Sequence, residues 1–171
     1  MEVIVVKYKP KWALDFELES KELKKRIGTI INNIYHIGST AVPDLMAKPI
    51  IDIMLDVRDL NELDNQAYKL EEIGYEGLGE NGIPGRRYFR KGGYNRTHQI
   101  HAFKSGDPGL IRHLAFRDYL IEHKKIAKEY GELKSNIAQR CNNDIEMYCD
   151  EKDSFVKHHE AIALEWYKNK T

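Results

Sequence analysis

At 171 residues, 42% hydrophobic and 32% charged, the chain can bury one sizeable core, which excludes a disordered or fibrous polypeptide. Lys+Arg 27 balance Asp+Glu 27, so no overall field calls for nucleic acid or an anionic membrane as the main partner. Cys141 and Cys149 lack metal-type spacing and read as ordinary thiols of a reducing compartment. The only early apolar run, Val3 to Val6, is too short for a signal peptide, and no later run spans a bilayer; a cytoplasmic location is expected.

Val3 to Val6 is β-branched and predicts an opening strand or extended arm. Trp12, Phe16, Glu19, Leu23 and Ile27 then recur at helical spacing, with Gly28 as the stop. A strand is expected over residues 30–37, ending at Gly38-Ser39-Thr40, and a second over 49–57, whose nearly continuous apolar character suits burial on both faces. Leu63, Ala67, Leu70 and Ile73 predict a helix closed by Gly74, and the glycine-dense stretch from Gly77 to Gly85 a loop. Two strands follow over 86–91 and 98–104, turned by Gly92-Gly93.

From Asp107-Pro108, an N-cap and first-turn pair, the chain becomes helical. Leu110, Ile111, Leu114 and Ala115 share one face, and Ile126, Tyr130, Leu133 and Ile137 share one face of the next helix. Asp153 is positioned to cap a last helix that turns Phe155, Ile162 and Trp166 inward. The whole, residues 1–171, is expected to be one α+β domain, strand-rich over 1–105 and helical over 106–171.

The stretch His36-Ile37-Gly38-Ser39-Thr40-Ala41-Val42-Pro43, followed by Lys48-Pro49-Ile50-Ile51-Asp52-Ile53, carries the chemistry. A strand stopping at Gly38-Ser39 frees backbone N–H groups, and glycine lets a phosphate approach them. Ser39 and Thr40 add hydroxyl donors, Lys48 adds a charge, and Asp52 could hold Mg²⁺ against a nucleotide's phosphates. The same residues would equally serve as a tight turn and a solvated strand end.

These two segments resemble the GrpB family of bacterial proteins. The likeness continues through Phe89-Arg90-Lys91, through Arg96-Thr97-His98-Gln99-Ile100-His101, through His113 to Leu120 and through Tyr130-Gly131-Glu132-Leu133-Lys134, so it spans nearly the whole chain. The resemblance implies a nucleotidyltransferase-like mixed β-sheet with flanking helices, the fold of polymerase beta-like enzymes. Its members are in some bacteria fused to a coenzyme A biosynthetic kinase.

Against the superfamily pattern of Gly-Ser followed by two carboxylates one residue apart, Gly38-Ser39 and Asp52 match, but Met54 stands where the second carboxylate belongs. Asp56 lies four residues beyond Asp52, ~13 Å along a strand and too far to share an ion. Histidine could compensate. Gln99, His101 and Phe103 share a strand face, so His101 is expected to face Asp52 as ligand or base, while His98 bonds locally at the strand edge.

His36 and Gln99 are supporting candidates, with His98 a weaker one. Among the basic residues 86–91, Arg90 is the expected phosphate contact. His113, His123, His158 and His159 read as surface residues. The leading expectation is a nucleotidyltransferase-like protein that carries out Mg²⁺-dependent transfer of a nucleotide to an unknown acceptor, its partner being a nucleotide or other phosphate-bearing small molecule. The alternatives are a non-catalytic nucleotide- or coenzyme-binding module and an interaction protein docking through its C-terminal helices.

Overall fold

The computed structural model describes residues 2–170. Apolar residues with helical spacing form α1 (Lys11–Ile27), which buries Trp12, Leu23 and Ile27 and passes through one 3₁₀ turn into β1 (Ile31–Ile37). β2 (Ile51–Val57) follows, then α2 (Leu60–Glu71), capped by the Asp59 carboxylate accepting from the Asn61 N–H. The short β3 (Tyr75–Gly77), β4 (Arg86–Lys91) and β5 (His98–Lys104) complete a sheet of order β1-β2-β5-β4-β3. β2 and β5 run parallel, while the other neighbours are antiparallel, so the sheet is mixed.

Three helices close the chain: α3 (Pro108–Glu122), α4 (Lys124–Arg140) and α5 (Ile145–Asn169). This is the α+β architecture that the resemblance implies, with strands first and a helical C-terminal part.

Burial explains the unbroken apolar run of β2. Ile51, Ile53, Leu55 and Val57 pack with Ile100 and Ala102 of β5 under Leu23 and Ile27 of α1 and Leu63 and Leu70 of α2. On the opposite face Met54 packs with Ile37, Phe103 and Leu110 of α3. A second apolar layer joins α3, α4 and α5 through Tyr119, Tyr130 and Ala163, with Val42 and Leu45 of the connection after β1 inserted into it. No helix of the described residues is long and apolar enough to cross a membrane.

Val3 to Val6 takes the second of its two expected forms, an extended arm that pairs in β fashion only at Val6, through two backbone hydrogen bonds with Ala47. Several other expectations change. β3 was hidden inside the expected helix–loop passage, because a three-residue strand leaves no periodic signature.

Asp153 does not cap the last helix: Asp144 does, accepting from the Met147 N–H, and Asp153 lies mid-helix paired with Lys157 at 2.9 Å. α5 thus starts earlier and places Ala163 inward, leaving Ile162 exposed; Ile111 of α3 is likewise exposed. His113 and His159 are not surface residues. His113 lies 5.8 Å from the His101 ring, and His159 is buried against Phe155.

Candidate functional site

The site forms where β1 ends. Gly38 has φ +73°, and a Cβ there would lie 2.7 Å from Asp52 Oδ2. Glycine is therefore required twice, by the left-handed backbone and by the carboxylate pressed against it. The β1–β2 register places Ile37 opposite Asp52, so the Gly38-Ser39 turn and the Asp52 side chain occupy the same end of adjacent strands.

The β2–β5 register decides the histidines. Asp52 lies opposite Gln99 and Met54 opposite His101, so Gln99 and His101 share the Asp52 face. The His101 Nε2 is 3.2 Å from Asp52 Oδ1, and the Arg86 Nη1 is 3.2 Å from His101 Nδ1. A guanidinium offers only N–H donors, so Nδ1 accepts; this assigns the ring hydrogen to Nε2, which donates to Asp52.

Both ring nitrogens are thereby engaged. His101 orients the Asp52 carboxylate and has no lone pair left for a metal ion. Arg86 is itself buried and also donates to the Glu80 and Asn81 carbonyls, anchoring the glycine-rich loop.

The other expected residues divide. His98 is on the opposite face of the sheet, 2.8 Å from Thr97 Oγ1 and 3.2 Å from Glu19 Oε2, remote from the cleft. His36 also faces away. It stacks on Phe16 with ring centroids 4.8 Å apart, and its Nε2 lies 3.0 Å from Thr40 Oγ1. Burial pushes the His36 ring down to about 4, against the pull of Asp52.

The Thr40 hydroxyl donates to the Ile50 carbonyl at 3.0 Å, so its hydrogen braces the turn and is not free for a phosphate. Arg90 pairs with Glu76, its opposite number on β3, at 3.2 Å, and stays outside the cavity described next.

That cavity, of 230 Å³, is lined by Ser39, Lys48, Asp52, Arg96, Gln99, Lys134, Tyr148, Cys149 and Lys152, with Thr40 and three apolar residues completing the wall. Lys134 comes from α4 and Lys152 from α5. Gly131, one turn before Lys134, lets α4 approach the 42–46 connection: a Cβ there would meet Leu45 Cδ1 at 3.3 Å. Lys134 Nζ then donates to Ser39 Oγ at 2.6 Å and lies 4.4 Å above the Tyr130 ring.

Lys48 and Lys152 sit 4.9 and 5.7 Å over the Tyr148 ring. Burial, followed by the charges of Lys152 and Lys48, holds the Lys134 ammonium well below the usual lysine range. Burial likewise lowers Lys48, with Lys152 adding to the effect and Cys149 and Asp52 opposing it.

Sequence reasoning missed Lys134, Lys152 and Arg96, and chose Arg90 over Arg86 within the basic cluster. Lys134 and Arg96 do fall inside the segments that carry the family resemblance, the one signal that could have found them.

Magnesium was expected on Asp52 and His101, and the donor set does not fit it. Among the described residues no group of three or more His, Cys, Asp or Glu side chains converges to hold a metal ion. Met54 fills the second-carboxylate position with 0% exposure. Asp56 is engaged by Asn33 and Ser105 further along the strand. Mg²⁺ prefers oxygen donors in octahedral array, and Asp52 is the one carboxylate in the cavity wall.

The chain is 44% identical over 168 residues to UPF0157 protein YqkA of Bacillus subtilis, covering 98% of this chain and 49% of that protein. It thus spans about half the length of that relative. It is 35% identical over 160 residues to glutamate-rich protein GrpB of Alkalihalophilus pseudofirmus, covering 91% of this chain and 92% of the relative. A crystal structure of conserved protein GrpB from Enterococcus faecalis superposes with TM-score 0.93 at 44% identity, covering 96% of this chain and 99% of that one. With residues 2–161 also matched by the family model described as GrpB protein, the chain belongs to the GrpB family.

Proposed function

We propose that this protein binds a nucleotide, or another small molecule bearing a phosphate chain such as a coenzyme, in the cleft between the Gly38-Ser39 turn, Asp52 and the C-terminal helices. The observation that carries this reading is the convergence of Lys48, Lys134, Lys152 and Arg96 on one cavity with Ser39. Cations gathered in a partly buried cavity, Lys134 fully buried among them, converge at a cost in desolvation and mutual repulsion, and an anionic ligand offsets that cost. Nucleotide transfer to an acceptor is the second reading. It is favoured by the Asp52 carboxylate, which His101 and Gly38 hold in one orientation at the cavity wall.

The test is a thermal-shift screen of nucleotides and dephosphorylated nucleosides. At a ligand concentration a hundredfold above Kd, binding adds about 2.7 kcal/mol, which for a chain of this size raises Tm by about 5–10 °C. Stabilisation by nucleotides but not by the matching nucleosides supports the phosphate reading. Equal shifts from both, or none, would refute it.

A further inference from the structure

The cavity wall brings four basic side chains against one carboxylate, an excess of three positive charges when all four are protonated. Fold stability does not account for this. Lys134 is 2% exposed, and its Nζ meets a hydroxyl where an ion-pair partner would be expected. The Tyr130 and Tyr148 rings hold the ammonium groups in place without neutralising them. Arg96 adds a buried Nε with no hydrogen-bond partner. An orphaned donor in a cationic wall calls for an acceptor from outside the chain.

A single phosphate carries a charge of about −1.5 to −2, too little to match the wall, so the complement is a chain of two or more phosphoryl groups. A divalent cation would add positive charge to a site already in excess, with Asp52 its one carboxylate ligand.

We infer that this cleft holds a di- or triphosphate chain without a metal ion, Lys48, Lys134 and Lys152 supplying the charge that magnesium ions supply in two-metal sites and Arg96 contributing its unpartnered donor. The inference rests on the phosphate reading above and narrows it to polyphosphates bound metal-free. Here Asp52 weakens the binding of the chain. In a metal-bridged site the same carboxylate would be essential.

The experiment is isothermal titration with inorganic tripolyphosphate and with ATP, each in excess EDTA and in excess Mg²⁺, on the intact chain, Asp52→Asn, Lys134→Met and Lys152→Met. The expected result is binding in EDTA that Mg²⁺ leaves equal or weakens. Asp52→Asn should bind with equal or higher affinity, and each lysine variant at least tenfold more weakly, with folding checked by circular dichroism. If Lys134→Met does not fold, Lys152→Met gives the same reading from α5. Binding that requires Mg²⁺ and disappears in Asp52→Asn overturns the metal-free inference but leaves the phosphate reading standing. Absence of binding by either probe in both media overturns the two together.

Discussion

Replacing Lys134 by Met separates function from stability with opposite signs. The lysine is 2% exposed and its ammonium accepts the company of Lys48 and Lys152, with Asp52 the one opposing charge. Removing it forfeits one charged hydrogen bond to Ser39, worth ~1.5–3 kcal/mol. It also removes a desolvation penalty of several kcal/mol and the repulsion of two neighbouring lysines. Methionine has nearly the same length and flexibility, so no large cavity opens, and half-buried Ser39 can turn to solvent.

The net expectation for Lys134→Met is a gain of about 1–2 kcal/mol, read as a higher urea midpoint with an unchanged m-value. Polyphosphate affinity should fall in the same variant. A loss of more than about 2 kcal/mol with ligand affinity intact would refute the reasoning and make Lys134 a structural brace of the Ser39 turn.

Two further perturbations test the frame around the cavity. Gly38→Ala, at φ +73° and with its methyl 2.7 Å from Asp52 Oδ2, should cost ~1–3 kcal/mol and displace the carboxylate; an unchanged urea midpoint would contradict the close approach. Burial pushes His36 down to about 4 and His113 to about 3, from 6.5. Folded values below the unfolded one mean that these groups leave stability at its full value above about pH 6.5 and reduce it as pH falls through that value toward 4. His36 alone accounts for about 3 kcal/mol. His113→Leu, which removes a buried Nε2 without a partner, should flatten the stability profile between pH 6.5 and 4; the same slope as the parent would rule out burial of that ring as the cause.

Local pattern was enough for the strand ends. Gly38-Ser39 and Asp52 fall together because strand runs stop at punctuation residues, and strand period two separates His101 from His98. The same arithmetic identified Met54 as the residue in the second-carboxylate position. Position within a strand puts His98 and His101 on opposite faces of β5, and the β2–β5 register then decides that His101 is the one sharing the Asp52 face.

What only the tertiary structure decided are the groups delivered from elsewhere in the chain. Lys134 lies on a helix 95 residues from Ser39 and Lys152 on another still further along the chain, and a helical lysine reads as solvated until docking shows what covers it. Gly131 sets that docking by letting α4 close on Leu45. Arg86 and Arg90 share a strand face, and pairing decides between them: β3 offers Glu76 to Arg90, while the loop carbonyls and His101 take Arg86. His113 reads as exposed from its charged neighbours, yet α3 lays it against His101 and Phe103. The sequence of a segment determines its own period and punctuation; which charge meets which cavity is set by non-local packing, where each contact depends on every element already in place.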